Sequence, residues 1–340
     1  MGEIGRSGRA SRRLPINSRR TSEHRPAMKE ITRRPLHYYW QPRYWPTWLG
    51  FGLLRLTCFL PYRWHISLGK ALGRLGHRVA GERRAITRRN IALCFPELTP
   101  AERDKLALEH FEALGASLME LGLGRWATSE KLRAMTTVTG AEHVTNAQEE
   151  GHGVILISGH FTALEVSGRV FKDFVPIYDA VFRRFRSPLV TQIIATGREI
   201  SARRLIEKSD IKSMVRSLRE GVPVWYAPDQ AYQQKLSALL PFFGIPAMTN
   251  IATGTLAKLG KAKVVPYFPR RLPEGGYEIT VLPPLDSVTG EDLQEDTQKF
   301  TAVLEEQIRR CPEQYYWIHR KFKGRPEPLP DVYADLDSLK

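Results

Sequence analysis

From Gly153 onward, short apolar runs alternate with segments whose apolar residues fall at helical spacing. The sharpest run is Val154-Ile155-Leu156-Ile157, unbroken and mostly β-branched, which reads as a strand buried on both faces. Ser158 and Gly159 end it, and Leu164, Val166 and Val170 then suggest a helix that carries Glu165. Val175–Phe182 reads as the next strand, followed by helical segments over Pro188–Gly197 and Ile211–Glu220 and a strand at Val222–Ala227. Asn250–Leu259 reads as helix, Lys263–Phe268 and Tyr277–Leu282 as strands, and Glu291–Arg310 as helix. This alternation predicts an α/β fold with a mostly parallel central sheet flanked by helices on both faces. Upstream, Thr99-Pro100-Ala101-Glu102 forms a capping box with proline at the first helical position. It opens a long amphipathic helix to about Leu123, with Leu106, Leu108, Phe111, Leu114, Leu118 and Leu121 expected to face inward. There is no internal repeat.

The N-terminal third follows a different pattern. Residues 1–27 are rich in Arg, Ser, Gly and Pro, almost free of large apolar residues, and read as disordered. No apolar segment follows them directly, so they make a poor secretory signal; an Arg/Ser-rich transit peptide is one reading, and a start at Met28 another. Tyr38 to Trp48 is crowded with aromatics and prolines, and an apolar run follows from Trp48 to Leu60, interrupted by Arg55. Tyr, Trp and Arg beside an apolar segment is the composition of a membrane interface. The run falls short of the roughly 20 residues that span a bilayer, and extending it to Ile66 admits Pro61 and Arg63. A membrane-associated or marginally spanning helical region is expected here, with Arg43, Arg55 and Arg63 placed to snorkel; a buried core helix is the alternative. Residues 63–90 carry Arg74, Arg78, Arg83, Arg84, Arg88 and Arg89 at roughly helical spacing, a solvated face or one drawn to anionic lipid. The boundaries drawn are a basic extension over 1–37, a membrane-anchoring or interfacial segment over 38–66, the main domain over 67–330 and a tail over 331–340.

At 340 residues the chain has ample material for a large core. Its formal net charge is +15, of which residues 1–34 supply +7. Such a balance suits acidic partners: nucleic acid, anionic lipid, a phosphorylated glycolipid or an acidic carrier protein. Cys58, Cys94 and Cys311 show no metal spacing and fit a reducing compartment. GxSxG, HExxH, Walker A and GxGxxG are all absent, which removes the best signatures of serine hydrolysis, zinc hydrolysis and nucleotide chemistry.

His160 and Glu165 stand at the strand-to-helix junction after the first strand, the edge where open α/β sheets bind ligands. If the chain turns into a helix between them, the carboxylate can hold one imidazole nitrogen and leave the other as a base. The spacing is not selective, because His77 and Glu82 repeat it in a basic, polar stretch that reads as solvated surface. The preceding strand singles out His160. With no side-chain nucleophile, His160 would activate a hydroxyl of the substrate and Glu165 would orient the ring; a hydrogen-bonded structural histidine fits the same residues. Arg183 and Arg184 follow Phe182, and Arg270 and Arg271 follow Phe268, so strand ends could aim these guanidiniums at a phosphate or carboxylate; scattered surface charge is the alternative. Asp229 also follows a strand end and, taken singly, could be a turn residue.

Six ordered blocks carry a family resemblance: PRYWPTWLGFGLLRL at 42–56, RRNIALCFPELTPAER at 88–103, HFTALE at 160–165, WYAPDQ at 225–230, ATGTLAKL at 252–259 and PEQYYWIHRKFKGRPE at 312–327. Over about Tyr39 to Pro330 the chain resembles the late acyltransferases of lipid A biosynthesis, in their lauroyl/palmitoleoyl branch, within the wider group that shares a His-x4-Asp/Glu motif. The resemblance implies transfer of a fatty-acyl chain from acyl carrier protein to the hydroxyl of a hydroxyacyl chain on Kdo-lipid IVA. It also implies an N-terminal membrane anchor, an active site on the cytoplasmic side of the inner membrane, and no metal or organic cofactor. His160 matches the family's catalytic base and Glu165 its partner; Arg183 matches an arginine of a Tyr-Arg-Pro element and Asp229 a shared acidic position. Arg184 and Arg270 join the expected substrate-binding set through their strand-end placement. Phe182 and Arg184 stand where the family has Tyr and Pro, and Ala231-Tyr232-Gln233 where it tends to have Asp-Tyr-Gly, departures that bear on donor or acceptor preference. Two rivals remain: an acyltransferase of the same motif class acting on another membrane glycolipid or phospholipid, and a basic nucleic-acid-binding protein. The second lacks any binding motif and leaves the Trp48–Leu60 run unexplained, so nucleic acid is not an expected partner.

Overall fold

The computed structural model describes residues 34–339, so the expectation for residues 1–27 lies outside the described residues. Helices α1 (Trp45–Thr57), α2 (Tyr62–Val79), α3 (Gly81–Cys94), α4 (Pro100–Trp126) and the short α5 (Ser129–Ala134) come first. Then follow β1 (Thr136–Thr139), α6 (Glu142–Glu149), β2 (Gly153–Ile157), α7 (Leu164–Phe171), β3 (Asp179–Phe182), α8 (Pro188–Arg198), β4 (Arg204–Glu207), α9 (Ile211–Arg219) and β5 (Val224–Tyr226). A hairpin of β6 (Ser237–Phe242) and β7 (Ile245–Asn250) interrupts the alternation before α10 (Ala252–Gly260), β8 (Ala262–Arg271), β9 (Tyr277–Val281) and α11 (Leu293–Arg310).

Seven strands form the central sheet in the order β1-β9-β8-β2-β5-β3-β4. Strands β8, β2, β5, β3 and β4 run parallel, and the turn between β8 and β9 reverses the last two at one edge. The mostly parallel α/β reading therefore holds. All five residues of β2 are buried, as its unbroken apolar run demands. Its alternate side chains enter two separate cores. Ile155 and Ile157 pack with Met214, Leu256, Phe300 and Leu304 on one face, and Val154 and Leu156 with Val144, Val166, Val170 and Leu123 on the other.

The capping box forms as expected, with the Thr99 hydroxyl accepting from the Glu102 N–H and the Glu102 carboxylate accepting from the Thr99 N–H. The face that α4 buries differs in part from the expectation. Leu106 and Phe111 are buried, but Leu118 is exposed, and Ala107, Ala113, Gly115, Ala116 and Glu120 are buried instead. The cause is α2, which lies so close that its contact face must be small. A Cβ at Gly69 would meet the Gly115 carbonyl oxygen at 2.7 Å, and Cβ atoms at Gly73 or Gly115 would run into backbone of the facing helix. The buried Glu120 is met by the Arg271 guanidinium at two oxygens, 2.6 Å each, and by the Tyr277 hydroxyl at 2.7 Å.

No helix among the described residues is long and apolar enough to cross a membrane. The apolar run over 48–66 is split: α1 ends at Thr57, and Pro61, which has no N–H to continue a helix, precedes α2. Ahead of α1, Tyr39 is buried against Leu189 and Tyr44, with its hydroxyl 3.3 Å from the Gln192 side chain, so the aromatic segment docks on α8. Because the α2–α4 seam admits no side chain, Gly73→Leu should lower unfolding stability by about 3 kcal/mol in urea titrations followed by circular dichroism. Gly76→Ala, whose new methyl would sit 3.7 Å from Phe111, should instead gain about 0.5 kcal/mol.

Candidate active site

Strands β2 and β5 are neighbours, with Ile157 paired to Tyr226. His160 lies three residues beyond Ile157, and Asp229 three residues beyond Tyr226. Two parallel strands in that register deliver the two side chains to the same height at the carboxyl edge of the sheet. The contact is double. The imidazole Nδ1 lies 2.5 Å from Asp229 Oδ1, and the His160 main-chain N–H donates to Oδ2 at 3.0 Å. Asp229 is buried, whereas about a third of the His160 side chain is open to solvent, and Nε2 has no partner among the described residues. Nδ1 thus carries the hydrogen toward the carboxylate, and Nε2 presents its lone pair outward.

Burial works to raise the Asp229 carboxyl, but the imidazole's charge and the two hydrogen bonds from His160 outweigh it and hold it down to about 2. For the ring, burial pushes down. Asp229 overcomes that and raises the imidazole above its ordinary value, against the opposing charges of Arg198 and Lys321. The segment after α11 closes the site. Tyr315 forms a bridge with Phe161, and the Tyr316 N–H donates to the His160 carbonyl at 3.0 Å. The Tyr316 ring lies 6.3 Å from the imidazole, and burial together with the nearby Asp229 charge holds the Tyr315 hydroxyl well above its ordinary range. Lys321 donates to the Asp229 carbonyl at 2.6 Å. His319 stands near the pair, and burial pushes its pKa down to about 4.

The hydrogen bond that the sequence spacing assigned to Glu165 is therefore made by Asp229. Helix α7 begins only at Leu164, after a turn at Thr162-Ala163, which puts Glu165 in the first helical turn facing α8. There Arg198 grips it with Nη2–Oε1 at 2.5 Å and Nε–Oε2 at 3.3 Å. Glu165 and Arg198 line one wall of a narrow, largely apolar cavity of about 70 Å³. Its other walls include Leu156 and Ala180 from the sheet, Ile194 of α8, Leu121 of α4, and the buried Phe171 and Tyr267.

The arginines named from sequence divide. Arg183 and Arg184 are exposed after β3, and Arg184 lies 3.4 Å from Glu207. Arg270 is bound to Glu278 at 2.5 Å, with Arg310 also on that carboxylate. Arg271 is the buried partner of Glu120. Neither reaches toward His160 as an uncommitted anion ligand; the antiparallel β8–β9 pairing sets Arg270 directly opposite Glu278. Sequence reading passed over Tyr315, Tyr316 and Lys321, which lie about 155 residues beyond His160. The signal that could have found them is the block at 312–327, which holds all three. Likewise His77 is half-buried against Phe111 and Glu82 pairs with Arg320, so this second His-x4-Glu is part of the helical packing.

Residues 34–324 match the family described as bacterial lipid A biosynthesis acyltransferase. Over 294 residues the chain is 38% identical to a lipid A biosynthesis lauroyltransferase of Escherichia coli (strain K12), covering 86% of this chain and 96% of that one. It is 34% identical over 297 residues to a lipid A biosynthesis palmitoleoyltransferase of the same organism, covering 86% and 95%. A myristoyltransferase of that organism is 28% identical over 309 residues, covering 88% and 94%. With its α/β sheet, its His-Asp pair at the strand edge and this match over most of its length, the chain belongs to the bacterial lipid A biosynthesis acyltransferases.

Proposed function

We propose that the chain transfers a fatty-acyl group from acyl carrier protein to the hydroxyl of a hydroxyacyl chain on Kdo-lipid IVA, with His160 as general base. The observation that carries this reading is the partly solvent-open Nε2, without a partner among the described residues, of an imidazole whose other nitrogen is fixed by the buried Asp229. Nε2 takes the proton of the acceptor hydroxyl as its oxygen attacks the thioester carbonyl; the C–S bond breaks, the ester C–O bond forms, and the proton passes to the leaving thiolate. Asp229 keeps the ring in the reactive tautomer and stabilises the imidazolium, the part an acid plays in a triad. Glu165, through Arg198, acts as a positioning group that ties α7 to α8 beside the base. Arg183, exposed after β3, is the arginine best placed for the acceptor's anionic groups.

The cavity behind Glu165 receives the inner part of the donor's acyl chain. Relatives are named for lauroyl, palmitoleoyl and myristoyl groups, so the chain length accepted here depends on which side chains close that cavity.

Membrane association accounts for the first two helices. Trp45, Leu49, Leu53 and Leu56 form one exposed stripe along α1, continued by Phe59. Trp64, Leu68, Leu72, Leu75 and Val79 form a second along α2, at spacings of four, four, three and four residues. Residues 34–81 hold seven Lys and Arg and no Asp or Glu. Apolar stripes within a purely cationic segment suit helices that lie in the headgroup layer of an anionic bilayer, with the active site on the cytoplasmic side of the inner membrane.

His160→Ala should abolish product, and Asp229→Asn should lower turnover by about 10²- to 10⁴-fold, whereas Glu165→Gln should leave a weaker but measurable rate. Mass spectrometry of a Kdo-lipid IVA acceptor incubated with acyl carrier proteins of defined chain length reads all three. Wild-type turnover by His160→Ala would overturn the mechanism. Because the base must be unprotonated and its pKa is raised, activity should climb with pH through a value above 6.5. In the same assay Ala180→Phe should shift the preferred donor to shorter chains; an unchanged preference would place the acyl site elsewhere. Flotation with anionic vesicles should recover the wild type and lose a Leu53→Glu/Leu72→Glu variant.

A further inference from the structure

Lys321 is a buried ammonium with no ion pair of its own among the described residues. The residue is 5% exposed, its Nζ donates to the Asp229 carbonyl at 2.6 Å, and the charge sits 4.4 Å from the centre of the Phe242 ring. No carboxylate lies within salt-bridge distance of it among the described residues. A buried cation is costly unless a nearby charge and hydrogen bonds compensate it. The negative charge acting on it most strongly is Asp229, with Glu305 of α11 more weakly; the buried Cys94 thiol, pushed up by burial, carries no charge there. One carboxylate therefore faces two nitrogen groups: Lys321, which holds its main chain, and His160, which holds its side chain.

We propose that Lys321 is a charge-balancing positioning residue for the His160–Asp229 pair, anchoring the Asp229 main chain and offsetting the carboxylate charge that the imidazole experiences. The proposal rests on the reading of His160 as a base for its functional meaning, but not for its physical content. A carboxylate bonded to an imidazole orients the ring and also favours its protonated form. A base that begins the cycle already protonated cannot accept the hydroxyl's proton. Arg198 opposes that protonation too, yet its charge is matched by Glu165. Arg198 acts on the ring more strongly, and Lys321 is the second cation that limits the effect of Asp229, the one that also holds Asp229 itself. The other groups facing the pair are the Tyr315 and Tyr316 rings and His319, which burial keeps neutral at working pH. Phe242 supplies a face for the ammonium without adding negative charge that would cancel it.

The test is the titration of His160 in protein carrying ring-labelled histidine, followed by NMR and assigned by its loss in His160→Gln. Lys321→Gln keeps a donor for the Asp229 carbonyl and removes the charge. It should raise the His160 midpoint by about one pH unit, and the acidic limb of the rate profile should move by the same amount. Lys321→Arg should leave both near the wild-type position. An unshifted His160 midpoint in folded Lys321→Gln would overturn the proposal, whatever the rate does. If that variant does not fold, Asp229→Asn/Lys321→Gln removes both buried charges together, a change that proteins often tolerate. Its His160 midpoint should lie above that of Asp229→Asn alone, and equal midpoints would overturn the proposal. The titration needs no substrate, so a wrong acceptor or donor would show in the product assay and leave this result standing.

Discussion

A buried carboxylate sets the terms for this active site. Asp229 is buried at the end of β5, where burial alone would drive it to its neutral form. It stays ionised because three donors converge on its two oxygens and its carbonyl: the His160 ring, the His160 main-chain N–H and the Lys321 ammonium. Each comes from a segment whose position the sheet or the C-terminal strap fixes. The imidazole's orientation, its proton affinity and the closure of the site by residues 315–321 all follow from satisfying that one charge.

The same constraint explains what the sequence could and could not say. Strand β2 was legible because a strand buried on both faces must be apolar throughout, and the helix at Thr99 because its capping box is local. The His160 side of the pair was legible for the first reason. Its partner was not: Asp229 and Glu165 both follow a plausible turn, and only the register of Ile157 with Tyr226 decides between them. Register is a property of two strands, and a single strand's pattern does not encode it. Residues 237–250 were passed over as strands because their pairing is to each other, outside the main sheet. Short β4 escaped for a similar reason, since its alternation is brief and includes Arg204 and Glu207.

In α2 the charges hid the pattern. Arg74 and Arg78 drew the reading toward a solvated face, although Leu68, Leu72, Leu75 and Val79 run alongside them at helical spacing. Arg270 and Arg271, read from sequence as anion ligands, are engaged within the protein for a related reason. Arginines cluster at strand ends both for ligands and for internal carboxylates, and here Glu278 and Glu120 had already claimed them.

The glycine seam between α2 and α4 has a mechanical side. Helices that meet backbone to backbone, with no side chains between them to shear, move as one body. Helix α4 meets α7 in the same way at its far end, where a Cβ on Gly124 would lie 2.9 Å from the Glu165 carbonyl oxygen. From the exposed stripe of α2, through α4, to the helix beside His160 there is a continuous run of stiff contacts. The chain behaves here as a caliper: whatever plane α2 rests on, the imidazole stands at a set height above it. On the function proposed above, an acceptor would be selected partly by how far its hydroxyl projects from that plane, a criterion of distance that would act alongside charge and pocket shape.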